Sequence, residues 1–130
     1  MAFQTPRLTS LAPQFLVDDL EQAIAYYRDV FGFKFGDPWR GFYAIGTRDS
    51  LELHLKKAPK NAAERAHRHD CEHLDAYAGV AGIDAFYEQC VARGATILKP
   101  LAATAWGTKD FYVKDPEGYI LGFGESTSSH

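Results

Sequence analysis

The sequence predicts an α+β fold: two βαβββ modules forming curved mixed sheets, with helices on the outer face and a crevice on the concave face. Three observations predict it. Two stretches, "VDDLEQAIAYYRDVFGF" and "GIDAFYEQCVARG", carry apolar residues at helical spacing, each after a short strand-like run. Each is followed by about three short apolar or alternating runs separated by turn residues. "AYYRDVFGF" and "AFYEQCVARGA" are weakly alike at an offset of sixty residues, which fits an internal duplication.

In order along the chain, Gln14 to Val17 reads as a short strand. Asp18 opens the first helix, and Glu21 three residues later completes a capping box. Leu20, Ala23, Ile24, Tyr27 and Phe31 form its apolar stripe, and Gly32 stops it, which places the helix at about 19–31. "FKFG", "GFYAIGTR" and "SLELHLKK" are strands. In the last of these, period two puts Leu51, Leu53 and Leu55 on one face and Glu52 with His54 on the other. "APKNAAERAHRHDCEH" is polar and aperiodic and reads as a linker.

The second half opens on the strand "LDAYAGV", where Asp75 and Tyr77 share a face. Its helix places Ile83, Phe86, Tyr87, Cys90 and Val91 on one face and ends at Gly94. "ATILKP", "KDFYVKD" and "GYILGFGE" follow as strands, the last two joined by a tight turn at 114–118. The expected layout is one domain over 1–130, with module 1 at about 8–57, the linker at about 58–72 and module 2 at about 73–125.

Composition narrows the function. At 130 residues, 46% apolar and 24% charged, the chain is an ordinary globular domain. A formal net charge of -3 and the lack of any Lys/Arg-rich run give no nucleic-acid surface. No apolar run nears the roughly 20 residues of a membrane span, and the N-terminus lacks a signal-peptide core. Two cysteines make no disulfide framework, so a reducing cytoplasm is the expected compartment. Cys90 lies on a buried helical stripe and reads as packing. No Gly-rich phosphate loop and no nucleophile elbow is present. "HRHDCEH" (67–73) is rich in His but lacks a standard zinc spacing and reads as a solvated loop.

"FLVDDLEQAIAYYRDVFGFK", "LELHL" and above all "WGTKDFYVKDPEGYILGF" resemble the vicinal oxygen chelate superfamily, which joins glyoxalases, bleomycin-resistance proteins and extradiol dioxygenases. The resemblance covers nearly all of 8–125. It implies paired βαβββ modules, a homodimer and a ligand crevice. In metal-binding members it also implies four donor positions. These fall on Ala12, seven residues before the acid of Val17-Asp18-Asp19-Leu20; on Glu52; on Asp75, nine before Asp84; and on Gly122, four after Gly118. Two of the four carry no donor atom, so no metal or other cofactor is expected, and the last strand is read as supplying space rather than charge. His73, two residues from Asp75, is the one imidazole that a shift of register brings toward the set.

The resemblance is therefore closest to the bleomycin-resistance branch. It implies a non-catalytic protein that sequesters a flat, cationic aromatic antibiotic or metabolite in a dimer crevice. Candidate ligand-binding residues are Trp39 and Trp106 as stacking walls, Phe42 and Tyr112 as lining, and Glu52, His54, Asp75 and Tyr77 as crevice polarity. The resemblance also implies an N-terminal arm that crosses to the partner, with Pro13 as the expected crossing point. The alternative is a metal-dependent enzyme of the lyase, thiol-transferase or dioxygenase type.

Overall fold

The computed structural model describes residues 5–58 and 74–127. Strand β1 (Gln14–Val17), helix α1 (Leu20–Asp29) and strands β2 (Lys34–Phe35), β3 (Tyr43–Arg48) and β4 (Leu51–Lys57) make the first unit. Strand β5 (Ala76–Gly79), helix α2 (Ile83–Ala92) and strands β6 (Thr96–Ala103), β7 (Thr108–Lys114) and β8 (Ile120–Ser126) make the second. The two four-stranded sheets have the same order, β1-β4-β3-β2 and β5-β8-β7-β6. In each, the first strand pairs in parallel with the fourth and the other pairings are antiparallel, so each βαβββ unit is a mixed sheet. No helix among the described residues is long and apolar enough to cross a membrane.

Alternation sorts each sheet into a packed face and an open face. Phe15, Val17, Ala44, Leu53 and Leu55 are buried in the first sheet, and Phe111, Val113, Leu121 and Phe123 in the second. With Leu20, Ala23, Tyr27 and Phe31 from the first helical segment and Ile83 and Cys90 from α2, they form one continuous core. Phe31 joins the halves, its ring centroid 5.2 Å from Phe123 and 6.4 Å from Phe86. The two packed faces therefore meet in a shared interior.

One local expectation changes, and two apolar residues on the expected faces stay exposed. The capping residue of α1 is Asp19, whose carboxylate accepts from Gln22 N at 3.0 Å, rather than Asp18. Leu51, at the strand end, is half exposed. Val91 is exposed as well, because α2 turns only Ile83 and Cys90 fully inward and rests Phe86 and Tyr87 at the margin. Gly32 does end the helical run: at φ +76° it sits in the left-handed region while Phe33 N reaches back to Tyr27 O.

Gly46 on β3 faces Phe35 across the β2–β3 pairing, and a Cβ there would fall 2.4 Å from the Phe35 ring. The ring covers the glycine and fills the volume of its missing side chain. Gly46→Ala is expected to expel Phe35 and lower unfolding free energy by about 1–2 kcal/mol in urea titrations. An unchanged midpoint would mean that the ring contributes nothing in that position.

The turn between β7 and β8 fastens the two halves. Asp115, buried, accepts from Glu117 N and Tyr119 N at 2.8 Å each and from Tyr27 Oη of α1 at 2.6 Å. Glu117, also buried, accepts from Asp18 N at 2.7 Å and Asp19 N at 3.0 Å, where the helix leaves backbone donors unpaired and favours negative charge. Tyr119 stacks on Phe15 at 4.1 Å, and its hydroxyl both donates to Leu16 O and accepts from Leu16 N along the free edge of β1. At the far end of β8, Glu125 accepts from Gly82 N and Ile83 N at the start of α2, and these bonds hold its carboxyl below the ordinary range. The Asp-Pro-Glu-Gly-Tyr signature is thus a structural fastener between the halves.

Candidate functional site

The open face of the first sheet carries a directed row of hydrogen bonds. Gln14 Nε2 donates to Tyr43 Oη at 2.9 Å, Tyr43 Oη meets His54 Nδ1 at 2.7 Å, and His54 Nε2 meets Glu52 Oε1 at 2.9 Å. With Glu52 as the acceptor, a neutral His54 places its proton on Nε2 and accepts at Nδ1 from the tyrosine hydroxyl. The register explains the row: Gln14 lies beside His54 in the parallel pairing of β1 with β4, and Tyr43 and His54 project from the same face of β3 and β4. Glu52 and His54 stand together as the alternation predicted. Gln14 and Tyr43 were not anticipated; alternation within "FYAIG" is the signal that places Tyr43 on this face.

Beside the row, Trp39 bridges to Tyr43 through the backbone (Trp39 N to Tyr43 O, 2.7 Å) and meets Phe42 edge-on at 5.3 Å. Its indole is 58% exposed, with the Arg40 guanidinium 4.7 Å from the ring centroid. Trp39 and Phe42 therefore border the Tyr43 end of the open face.

On the second sheet, the open face is shaped by two glycines of β8. A Cβ at Gly122 would fall 2.5 Å from Leu74 Cδ1, 3.1 Å from Tyr77 Cδ2 and 3.3 Å from Tyr112 Cε1. A Cβ at Gly124 would fall 1.9 Å from Tyr77 Oη and 2.1 Å from Asp110 Oδ1. The glycines make a trench, and the Tyr77 ring lies along it with its hydroxyl donating to Asp110 Oδ1 at 3.1 Å. The space read from Gly122 is therefore taken up by this chain's own side chains. Tyr112 flanks the same trench, with Lys99 Nζ 5.0 Å from its ring centroid. Asp110, absent from the sequence-based candidates, is 2% exposed. Its alternation with Tyr112 along β7 is the signal that places it here. Asp75 is set at the mouth of β5, where its Oδ2 accepts from Ile120 N at 2.8 Å. Trp106 stands in the turn before β7, 69% exposed. His73 and the rest of "HRHDCEH" lie outside the described residues.

The candidates thus fall into two groups. Trp39, Phe42, Glu52 and His54 belong to the first open face; Tyr77 and Tyr112 belong to the second, with Asp75 and Trp106 at its borders. No hydrogen bond or ring contact among the described residues joins one group to the other. A cleft of about 590 Å³ lies elsewhere, lined by residues such as Phe31, Phe33, Leu51, Val80 and Phe86. Arg48 crosses it, bonded to Phe31 O and with its guanidinium 5.4 Å from the Phe86 ring centroid. None of the eight candidates lines this cleft, and its one guanidinium is engaged in packing.

The four donor positions of metal-binding relatives fit a metal poorly. Ala12 and Gly122 offer no side-chain donor atom, Asp75 is bonded to the start of β8, and the Leu74, Tyr77 and Tyr112 side chains crowd the Gly122 position. Among the described residues no three His, Cys, Asp or Glu side chains gather as a metal set.

Paired βαβββ units of this kind define an α+β fold of two repeated modules. The Glyoxalase/Bleomycin resistance protein/Dioxygenase superfamily model matches residues 8–123, and the chain belongs to that superfamily. No curated protein sequence matches it. Among solved structures it is similar to TioX from Micromonospora sp. ML1, at 18% identity and TM-score 0.72, covering 91% of this chain and 98% of that one. It is equally similar to the bleomycin-binding protein of bleomycin-producing Streptomyces verticillus, complexed with copper(II)-bleomycin, at 19% identity and TM-score 0.72, covering 92% and 97%. Lactoylglutathione lyase from Agrobacterium tumefaciens follows at 22% identity and TM-score 0.68, covering 92% and 95%. At these identities the likeness is one of fold, and it spans a binding protein and an enzyme alike.

Proposed function

We propose that this protein is a non-catalytic small-molecule binder of the bleomycin-resistance type. It would hold a flat, cationic aromatic antibiotic or metabolite in the crevice of a homodimer. The observation that supports this reading is the trench at Gly122: the position the resemblance assigns to a metal-binding carboxylate is here a glycine, and Leu74, Tyr77 and Tyr112 lie over it. What remains on the open faces is aromatic surface with polar groups between, at Trp39, Tyr43, Tyr77, Tyr112 and Trp106. Stacking on such rings suits planar guests, since two rigid rings bury area at low entropic cost.

What supports the homodimer is the exposure of the two open faces. Both sheets turn their apolar sides into one core, so their open faces point outward and each makes half a wall. A two-fold partner sets the first face of one copy against the second face of the other and closes two crevices. Leu8 and Leu11, 98% and 97% exposed on the segment before β1, suit an arm laid on that partner.

Tryptophan fluorescence titration with bleomycin and with 9-aminoacridine tests the reading, alongside light scattering. Saturable quenching with a dimeric mass is expected. A monomer at working concentration, or no saturable response to either compound, overturns it. One divalent ion held tightly per subunit and lost in Glu52→Ala would favour a metal-dependent enzyme instead.

A further inference from the structure

We propose that Asp110, reached past the ring of Tyr77, is the anionic anchor of the second open face and takes a protonated, planar nitrogen group of the guest such as an amidinium or aminoheteroaromatic cation. The inference rests on the binding reading above and assigns its cation specificity to one residue.

The argument begins with β8. Gly122 and Gly124 face the open side, and their missing side chains let Asp110 and Tyr77 sink against the sheet. The carboxylate is consequently 2% exposed, yet it has no Lys, Arg or His nitrogen within 4.0 Å among the described residues. Lys99, which the register places on this face beside Tyr112, sits against the Tyr112 ring. A buried carboxylate without a counter-ion is costly unless its oxygens are bonded. Only one bond is found here among the described residues, from Tyr77 Oη to Oδ1.

The second oxygen has not been closed off. Among the described residues, Tyr26 Oη is the one side-chain polar atom that is both sealed from solvent and unbonded. Oδ2 of Asp110, for which no bond is found, therefore still meets solvent. The pair offers one acceptor fixed by Tyr77 and one left over, beside two rings that border the same trench. A compact ammonium would use the acceptor alone. A planar cation uses the acceptor through an N–H and the rings through its face.

The test compares two dyes of one shape: 9-aminoacridine, a flat cation at neutral pH, and acridine at a pH where it is neutral. Wild-type protein is expected to prefer the cation by about tenfold or more, the usual span for a hydrogen bond to a charged group. Asp110→Asn keeps the shape and an acceptor for Tyr77, and should bring the two affinities to within about twofold while acridine affinity stays unchanged. Tyr77→Phe retains the carboxylate and should retain the preference. Equal affinity of wild-type protein for the two dyes overturns the assignment of Asp110 whether or not any variant folds, and so does an Asp110→Asn variant with undiminished preference. In either case binding itself survives. Absence of saturable binding of both dyes to wild-type protein overturns the binding reading and the anchor with it.

Discussion

Asp115→Ala is expected to lower the free energy of unfolding by about 3–4 kcal/mol, since it leaves a buried hydroxyl and two backbone donors without their acceptor. Those three donors are Tyr27 Oη, Glu117 N and Tyr119 N, and they belong to a helix of the first half and a turn of the second. The loss loosens both the turn and its hold on α1. Asp115→Asn should cost far less, because one oxygen still accepts the backbone donors and Tyr27 Oη can turn to accept from the amide. The pH dependence separates charge from geometry. Burial raises the Asp115 carboxyl above its ordinary value, the bonds from Tyr27, Tyr119 and Glu117 draw it down, and the neighbouring Glu117 charge raises it again, with a net upward shift. A raised carboxyl contributes stability that is complete below the unfolded pKa and is lost as pH rises through the folded one. Wild-type protein therefore loses stability over that interval and the asparagine variant does not. Measured by urea unfolding across the acid range, the deficit of Asp115→Asn should shrink as pH rises; a deficit that grows would reverse the sign assigned to this group.

The same turn shows what was legible in the sequence. Helical spacing located α1 and α2, and alternation put Leu53 and Leu55 inside with Glu52 and His54 opposite, because those patterns are local. The cap of α1 lies one residue beyond Asp18, and Glu117, which accepts from the backbone donors of both Asp18 and Asp19 there, is 99 residues from Asp18. No window of sequence contains that contact. Gly122 is expected to supply space, and the structure fills much of that space. Its occupants come from other parts of the chain, Tyr77 beside it on β5 and Leu74 just before β5, and only the register Tyr77 to Gly122 reveals them. Asp110 escaped notice for a related reason. Its burial depends on Gly124 across the β7–β8 pairing and on Tyr77 from beyond β8, so its neighbours are set by two strand registers at once. "DPEGY" was the most specific motif for the fold, and its side chains turn out to be engaged in holding the halves together.

Gly122→Glu is the substitution that restores the donor lost from β8, and it is expected to fail as a restoration. The new side chain starts from a Cβ already 2.5 Å from Leu74 Cδ1 and close to both Tyr77 and Tyr112. Accommodating it displaces the Leu74 side chain and presses on the Tyr77 and Tyr112 rings, and it sets a second carboxylate near the buried Asp110. Overpacking and the added charge together should lower unfolding free energy by roughly 2–4 kcal/mol. Ala12→His combined with Gly122→Glu supplies two further donors to Glu52 and Asp75, yet Asp75 remains bonded to Ile120 N and Glu52 to His54. Dialysis against zinc or nickel followed by elemental analysis is expected to leave the single variant without a stoichiometric ion. The double variant should bind one only weakly, with the ion removed by a mild chelator. The reason is geometric: coordination needs three or more donors free to converge, and here the side chains between them are aromatic and already packed. A Gly122→Glu protein of wild-type stability that held one ion per subunit would show instead that Tyr77 is a movable cover over an intact coordination pocket, and the face would then belong to a metal-assisted reaction.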